Sequence, residues 1–397
     1  MVLLRRVAAA AVLLLALGCS AGSSGSPTTT PPSSAATPPR AITEAATPLT
    51  PRPPAATTPP RCDGTYVFSI NGVQMLDART GWAPTLEGVY RTTDGQRWTL
   101  SHITSPLGLS EVDFIDGRHG WAAGPRALYR TSDGGVTWMR LPVTCPMLRS
   151  VHFYDAQHGV AIRTTNANIA TRGVAVATSD GGTSWRRIVS APKDAQTICL
   201  SNDHDGYLGA HGGVYRTEDG GASWLEVVRR NPRPLPSLAV VQCGTGGAGW
   251  AEVNGPGGAS SQQAHIGWRL TADSATPLFV EGYFPHPYVN ITTESPGSDP
   301  VAFSSISAQQ AAFLDWCPAC NQQPKLGFAD GDAMSTSATV PGITYPIGLA
   351  FIDRDTGWVV GDDARIGPTG HEAGTSVITH TTDGGRTWST QLVVPHA

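Results

Sequence analysis

Two cysteines separated by two residues form one candidate for redox chemistry. They lie in the stretch Trp316-Cys317-Pro318-Ala319-Cys320. A reactive thiolate in such a pair needs a lowered pKa, which a helix N-terminus commonly provides. No strand–helix–strand pattern surrounds the pair. We therefore interpret Cys317 and Cys320 as a local structural disulfide, with a redox role as the alternative.

A polar stretch near the C-terminus contains side chains of the types that bind metal ions. Asp362, Asp363, His371 and Glu372 supply carboxylate and imidazole groups. These groups could hold a metal by ligand type. A solvated polar loop explains the same composition, and we predict no metal site here.

Five aspartates recur in one short pattern and could serve as catalytic carboxylates. The pattern is Thr-x-Asp-Gly-Gly-x-(Thr/Ser)-Trp in four copies, and the first copy is one residue shorter. The carboxylate can accept hydrogen bonds from nearby backbone N–H groups, and glycine tolerates positive φ, which is typical of a turn between strands. We predict that these aspartates form turns: Asp94, Asp133, Asp180, Asp219 and Asp383.

A second pattern precedes each turn and defines the strands around it. An apolar strand leads to a polar turn and then to glycine with an aromatic or apolar residue, as in Phe114-Ile115-Asp116 to Gly120-Trp121. Seven such lead-ins accompany five clear turn motifs, so two motifs have decayed, with candidates at 271–273 and 329–331. Units of about 40 to 60 residues match four-stranded propeller blades. The sequence predicts an all-β, seven-bladed propeller with antiparallel blades over residues 62–397.

The turn motif resembles the Asp box of BNR-repeat proteins. With Phe351-Ile352-Asp353, Gly357-Trp358 and the motif from Thr381 to Trp388, the chain is most similar to photosystem II stability/assembly factor-like propellers. This resemblance covers residues 75–397 and implies an extracytoplasmic binding or assembly protein, without cofactor or catalysis. We therefore predict a non-catalytic scaffold for a protein or glycan ligand of the cell envelope, and not an enzyme.

Sialidases also carry Asp boxes, which makes a sialidase-like glycoside hydrolase the alternative. Their first box is preceded by an Arg-Ile-Pro-like segment. The nearest match here, Arg140-Leu141-Pro142, follows the second box instead. This position favours a binding protein.

Departures from the repeat predict where a ligand binds. If the strands of each blade are named a to d, the b–c connections lie on the face opposite the boxes, and loops on a rigid scaffold commonly carry binding residues. These connections are long in blades three, five, six and seven, and the boxes have decayed in blades five and six. We predict function on that arc, with candidate binding residues Arg163, Arg172, Trp268, Trp316, Asp362, Asp363, His371 and Glu372.

The N-terminus predicts export and a lipid anchor. Arg5 and Arg6 precede an apolar run, and Gly18-Cys19 follows it in a segment that resembles a bacterial lipobox. We predict a signal peptide over 1–18, lipidation of Cys19 and attachment to the extracytoplasmic face of the cell membrane, with ordinary signal cleavage as the alternative. Residues 19–61 are rich in Ser, Thr and Pro and predict a disordered tether.

Charge and cysteine content limit the partners. The net charge of -4 provides no basic field for nucleic acid, and we predict a monomer. With Cys19 assigned to lipid, six cysteines remain, and an even number in an exported chain suggests disulfides. The sequence leaves open the pairing of Cys62, Cys145, Cys199 and Cys243.

Overall fold

The computed structural model describes residues 71–105, 108–143, 147–164, 173–211, 213–229, 238–257, 263–281, 299–316, 323–363, 366–367, 370–371 and 374–395. The chain divides into two units, Met1–Thr57 and Thr58–Ala397, and all of these residues belong to the second. Within these ranges no helix is both long and apolar enough to cross a membrane. The predicted signal peptide, the lipidation at Cys19 and the tether lie outside the described residues.

Seven four-stranded antiparallel sheets follow one another along the chain, which confirms the predicted all-β propeller of seven blades. In every sheet the strands are hydrogen-bonded in chain order, a to d. Blades 1 and 2 contain Gln74–Met75, Gly81–Pro84, Gly88–Thr92, Thr99–His102 and Glu111–Phe114, Gly120–Gly124, Ala127–Thr131, Met139–Arg140. Blades 3 and 4 contain Leu148–Phe153, Gly159–Arg163, Val174–Thr178, Arg186–Arg187 and Ala195–Leu200, Gly206–Ala210, Gly213–Thr217, Leu225–Val228.

The remaining three blades have longer outer strands. Blades 5 and 6 contain Ala239–Cys243, Gly249–Gly257, Gln263–Leu270, Ala275–Glu281 and Asp299–Ser305, Gln310–Trp316, Lys325–Asp330, Ala333–Thr339. Blade 7 contains Tyr345–Phe351, Gly357–Asp362, Thr375–Thr381 and Ser389–Pro395, with a small pair, Ile366–Gly367 and Gly370–His371, in its b–c connection. A short 3-10 turn, Thr245–Gly247, joins strands a and b of blade 5.

The Asp boxes form the c–d turns, as predicted. In blade 2 the carboxylate of Asp133 accepts hydrogen bonds from the backbone N–H groups of Val136 (3.1 Å) and Thr137 (2.9 Å). The Thr137 hydroxyl donates to the same carboxylate at 2.6 Å. Gly134 and Gly135 have φ of +74° and +83°, a backbone conformation that strongly favours glycine. The five aspartates therefore hold turns together at the blade corners.

The lead-in aspartates organise a second set of turns, between strands a and b. Asp77 accepts hydrogen bonds from the backbone N–H groups of Arg79 and Thr80 at 2.7 and 2.8 Å. Such a side chain replaces a backbone acceptor and defines an Asx turn. The same arrangement recurs at Asp116, Asp155, Asn202 and Asp353.

Neighbouring blades pack through the lead-in aromatic residues. The Trp82 ring of blade 1 stacks on Phe114 of blade 2 with centroids 3.5 Å apart, and its indole N–H donates to the carbonyl of Gly134 at 2.9 Å. Gly120 is required beside this stack, since a Cβ there would lie 2.4 Å from the Phe114 ring. The lead-in motif thus places an aromatic residue between blades 1 and 2, and Trp121 stacks on Phe153 in the same way between blades 2 and 3.

Blades 5 and 6 close their c–d turns without an Asp box, at the positions predicted for the decayed motifs. In blade 5 the Thr271 hydroxyl accepts from the backbone N–H of Ser274 at 3.1 Å. In blade 6, Gly331 adopts a φ of +59° between strands c and d. Turns without an Asp box therefore connect strands c and d in these two blades.

Candidate functional site

The innermost strands of all seven blades surround one central channel with a cavity of about 630 Å³. Because alternate residues of a strand point to opposite faces, part of each strand a lines this cavity. Each strand a begins on the face that carries the b–c connections and ends on the face that carries the boxes. Residues early in strand a therefore lie near the channel mouth opposite the boxes.

Neutral polar side chains of the wall tie each blade to the next. The Gln74 amide of blade 1 donates to the Phe114 carbonyl at 3.0 Å and accepts from the Phe114 N–H at 2.8 Å. Gln242 bridges blades 5 and 6 in the same way, through Phe303 and Ser305. Hydroxyl groups make the equivalent inter-blade bonds elsewhere: Ser150 to Ile198, Thr197 to Ala239 and Val241, and Ser304 to Phe351. This belt of hydrogen bonds holds the inner strands in a ring.

The ionisable side chains among the described lining residues belong to blades 2 and 3. They are Glu111 and Asp113 in strand a of blade 2, and Arg149 and His152 in strand a of blade 3. Glu111 is the first residue of its strand and Arg149 the second of its own. This channel cluster therefore lies on one side of the ring and extends toward the mouth opposite the boxes.

Glu111 is held in a way that favours its neutral form. Its Oε1 accepts the backbone N–H of Val151 at 3.1 Å. Burial in the channel wall raises the pKa of Glu111 to about 8, and the negative charge of Asp113 adds to this effect, although the Val151 bond and the nearby Arg149 oppose it. Burial therefore favours the protonated form of Glu111 more than water does.

His152 and Asp113 form an ion pair across the same two blades. Nε2 of His152 lies 2.9 Å from the Leu200 carbonyl, and Nδ1 lies 3.6 Å from Oδ1 of Asp113. Oδ2 of Asp113 accepts the Phe153 N–H at 2.6 Å. Burial is the largest single effect and lowers the pKa of His152, but Asp113, the Leu200 carbonyl and Glu111 together outweigh it, and the pKa is raised overall. Charge at this position is thus stabilised by the local geometry.

Backbone strain is found at the same mouth. The non-glycine residues with positive φ among those described are Met147 (42°), Ser150 (49°), Asp194 (61°) and His211 (48°). Met147 directly precedes blade 3, and the other three lie in blades 3 and 4 or in the connection between them, toward the face opposite the boxes. His211 and Asp194 are joined by a 2.7 Å contact. Strained residues of this kind often cluster at functional sites.

One disulfide lies in the channel wall. Cys199 of blade 4 is bonded to Cys243 of blade 5, with Cα atoms 5.7 Å apart. This resolves one pair that the sequence left open. Cys62, Cys145, Cys317 and Cys320 lie outside the described residues.

Among the described residues predicted for the binding face, Trp268 and Asp362 are buried. Trp268 is buried in the core between blades 4 and 5 with 6% of its surface exposed, because it packs among the apolar residues of strand c. Asp362 is 2% exposed and accepts the Ser376 hydroxyl at 2.5 Å. Arg163 ends strand b of blade 3, and Asp363 is exposed after strand b of blade 7. Arg172 and Glu372 lie outside the described residues, as do the side chains of Trp316 and His371.

The channel cluster was missed from the sequence, although a signal exists. Asp113 and His152 are the next-to-last residues of their strands a, the position at which blades 1 and 5 carry Gln74 and Gln242. Comparing this strand position across the blades distinguishes the ionisable Asp113 and His152 from the neutral Gln74 and Gln242. Among the described residues, no group of three His, Cys, Asp or Glu side chains is arranged to hold a metal ion.

Comparison with known proteins supports the repeat assignment. Residues 90–249 match the family model of the photosynthesis system II assembly factor YCF48. The match confirms, over these residues, the resemblance seen in the Asp boxes and lead-ins. None of the curated proteins matches the chain significantly.

Solved structures share the propeller fold at low identity. The GH74 xyloglucanase from Xanthomonas campestris is 13% identical with a TM-score of 0.51, and the match covers 81% of this chain and 67% of that one. U3-55K is 8% identical with a TM-score of 0.51, covering 74% and 88% of the two chains. An ancestral GH74 enzyme is 12% identical with a TM-score of 0.46, covering 84% of this chain and 56% of its own.

The xyloglucanase structure corrects the prediction that the chain is not an enzyme. That prediction treated the repeat architecture as a sign of binding and assembly proteins, whereas a xyloglucanase has the same fold. At 13% identity the likeness shows the fold alone. Fold is therefore no ground for excluding catalysis, and function must be argued from the site.

Proposed function

We propose that the protein is a membrane-anchored, extracytoplasmic propeller that binds a protein or cell-envelope ligand at the channel mouth opposite the Asp boxes. The observation that supports this proposal most directly is the channel cluster of Glu111, Asp113, Arg149 and His152, which is confined to blades 2 and 3. The predicted lipid anchor at Cys19 and the tether would hold this mouth in the extracytoplasmic space.

Charge in the cluster is more than the fold requires. Asp113 accepts a backbone N–H of the next blade, a role that the neutral amides of Gln74 and Gln242 fulfil at the equivalent positions. Taking a carboxylate out of water costs several kcal/mol unless it is paired. In blade 2 the Asp113 carboxylate is paired with His152, although a glutamine at this position could make the same inter-blade hydrogen bond. A recognition role accounts for the difference.

The size of the cavity fits the same function. Ligand sites typically occupy about 300 to 1,000 Å³, and the channel measures about 630 Å³.

In-cell photo-crosslinking tests the assigned face. A photoreactive residue is placed at exposed positions on the mouth face, Thr104, Lys193 or Asp363, and at matched exposed positions on the box face, Arg118, Gln157 or Asp355. We expect a common adduct from the first set only, and its loss in the Arg149→Met background. Adducts confined to the box face would refute the proposal.

An assay of hydrolysis on the same protein tests the glycoside hydrolase alternative. Full-length chain is incubated with xyloglucan and with a panel of sialosides, and reducing ends are measured. Turnover that disappears in Glu111→Gln would assign hydrolysis to the channel instead of binding alone.

A further inference from the structure

We propose that the outer rim of blades 2 and 3 docks on an anionic lipid surface. Four cationic and two apolar side chains, in strand d of these blades or in the connection that follows it, define this basic rim: Arg140, Arg186, Arg187, Lys193, Met139 and Val189. The rim is a different surface from the channel, so the inference goes beyond the proposed function and does not depend on the channel cluster.

The positive charge of the outer strands is confined to this rim. Strand d is the outermost strand of each blade, because strand a lines the channel. Among the residues described in the seven d strands, the arginines and lysines are Arg140, Arg186 and Arg187, all in blades 2 and 3. The other side of the ring has the opposite sign, since residues 234–397, which contain blades 5 to 7, include five Arg or Lys and 14 Asp or Glu.

The cations of the rim are available to an external partner. Within the described part of the chain, Arg140, Arg187 and Lys193 form no ion pair. Arg186 donates to the hydroxyl of Ser179 at 3.3 Å, a neutral partner that leaves its charge unbalanced. Guanidinium and ammonium groups make strong, charge-assisted hydrogen bonds to phosphate oxygens. A phosphate-bearing surface can therefore supply the partners that the rim lacks.

No carboxylate interrupts the rim itself. Residues 139–143 and 186–193 contain the four cations and no acidic residue. Asp133 and Asp180 flank these stretches at the box corners, where each accepts hydrogen bonds from its own turn. Asp194 follows Lys193 and lies 2.7 Å from His211. The rim therefore keeps a net positive charge between these three carboxylates.

Exposed apolar side chains accompany the cations. Met139 precedes Arg140 and has 60% of its surface exposed, and Val189 lies two residues after Arg187 with 84% exposed. Of the seven large apolar side chains that are exposed among the described residues, four belong to blades 2 and 3: Val136, Met139, Val174 and Val189. Cations beside exposed apolar groups suit a lipid interface, where headgroups contact the charges and the acyl boundary accepts the apolar groups.

A small cavity of about 200 Å³ lies on the rim of blade 3. Its described lining is apolar apart from Arg187, Lys193 and Asp194. Strand d of this blade has two residues, whereas strand c has five, so the start of strand c is left partly uncovered at Val174. Apolar space beside two cations fits a phospholipid, whose phosphate would contact the cations.

A membrane fits this surface better than a protein partner does. The rim is the convex outer edge of a ring, and a lipid surface offers many phosphates without requiring a complementary shape. The predicted lipid anchor at Cys19 would keep the propeller near the membrane, and the residues between Cys19 and Asn71 could span on the order of 100 Å if extended. Each Arg or Lys near an anionic lipid surface would then favour docking by about fivefold.

Fluorescence quenching on the full-length chain tests the docking. An environment-sensitive fluorescent amino acid is placed at Val189 on the basic rim or, as a matched control, at Val393, an exposed valine in strand d of blade 7. The protein is mixed with phosphatidylcholine vesicles, with or without phosphatidylglycerol, that contain a brominated lipid as quencher. We expect quenching at Val189 only, in the presence of phosphatidylglycerol only, and its loss at high salt because salt screens the charges.

Three sets of substitutions separate charge from structure. Arg140→Gln, Arg186→Gln and Arg187→Gln together should raise the lipid concentration for half-maximal quenching about a hundredfold, from about fivefold for each charge. Lysine at the same three positions should retain docking, because it keeps the charge. Arg97→Gln with Arg386→Gln removes two exposed arginines from the boxes of blades 1 and 7 and should leave docking unchanged. Thermal melting checks that each variant folds.

The same experiment can overturn the proposal. Equal quenching at Val189 and Val393, quenching without phosphatidylglycerol, or quenching that survives the three glutamine substitutions would refute docking on anionic lipid. Concentration-dependent shielding of Val189 without vesicles would assign the rim to a second copy of the chain instead. Crosslinking at the channel mouth does not depend on these results, so a failure here is distinguishable from a failure of the proposed function.

Discussion

Gln391 is predicted to close the ring between the last blade and the first. In blades 1 and 2 the lead-in tryptophan donates directly to a glycine carbonyl of the next box, with Trp82 to Gly134 at 2.9 Å. The box of blade 1 is one residue short, and Trp358 of blade 7 reaches it through Gln391. The amide accepts from Trp358 and donates to the Gly95 carbonyl at 2.9 Å.

The cost of removing this bridge follows from its contacts. Gln391→Ala eliminates three hydrogen bonds, because Oε1 accepts from both Trp98 and Trp358 at 3.1 Å. At about 1 kcal/mol each, with a further 1 to 2 kcal/mol for leaving a buried indole N–H without a partner, the loss is about 4 to 5 kcal/mol. Trp358 is fully buried, so water cannot replace the amide.

Equilibrium urea unfolding followed by tryptophan fluorescence measures this loss. Gln391→Glu keeps the acceptors but cannot donate to Gly95, and we expect an intermediate loss of about 1 to 2 kcal/mol. Gln323→Ala removes an exposed glutamine and should change the unfolding free energy by less than about 0.5 kcal/mol. A loss below about 1 kcal/mol in Gln391→Ala would refute the bridging role.

Three further predictions concern the boxes, the disulfide and the channel. The Thr137 hydroxyl and backbone N–H lower the pKa of Asp133 to about 2. The stabilising contribution of this carboxylate is therefore present above the unfolded value of 3.8 and is lost as pH falls toward 2. Melting temperatures measured against pH should show this acid-dependent loss in wild type but not in Asp133→Asn. Reducing Cys199–Cys243, or replacing both by Ser, should cost about 2 to 4 kcal/mol in thermal unfolding under matched conditions. Because the pKa of Glu111 is raised from 4.5 to about 8, the unfolding free energy of wild type should fall as pH rises between these values, whereas that of Glu111→Gln should not. If the unfolding free energies of the two proteins changed equally with pH, the Glu111 carboxyl group would be solvated.

The repeat could be predicted because each of its residues acts locally. Asp133 accepts hydrogen bonds from residues three and four positions later, and Gly134 adopts a positive φ that other residues disfavour. The strand order follows, since lead-in and box recur in fixed sequence around every blade. Even decayed units could be placed, because Thr271 and Gly331 occupy the expected corner.

The site could not be predicted in the same way because its contacts join distant parts of the chain. Val151 meets Glu111 across 40 residues, and Leu200 meets His152 across 48. The decay of boxes in blades 5 and 6 pointed to that arc, yet the ionisable part of the described channel wall belongs to blades 2 and 3. Loss of a turn motif shows that the local turn is less constrained, and it does not indicate where a ligand binds.

Tryptophan shows why charge is the more informative signal in this propeller. Nine of the 11 tryptophans occupy repeat positions, and Trp268, which does not, is also buried in a blade interface. The four lead-in tryptophans are fully buried, as Trp121 is where it stacks on Phe153 at 3.6 Å, so they are unavailable to a ligand. Asp113 and His152 stand in the same repeat and are ionisable, whereas Gln74 and Gln242 at the equivalent positions are neutral. A residue that departs from its own repeat while keeping the structural bond identifies a site more reliably than an abundant aromatic residue that follows the repeat.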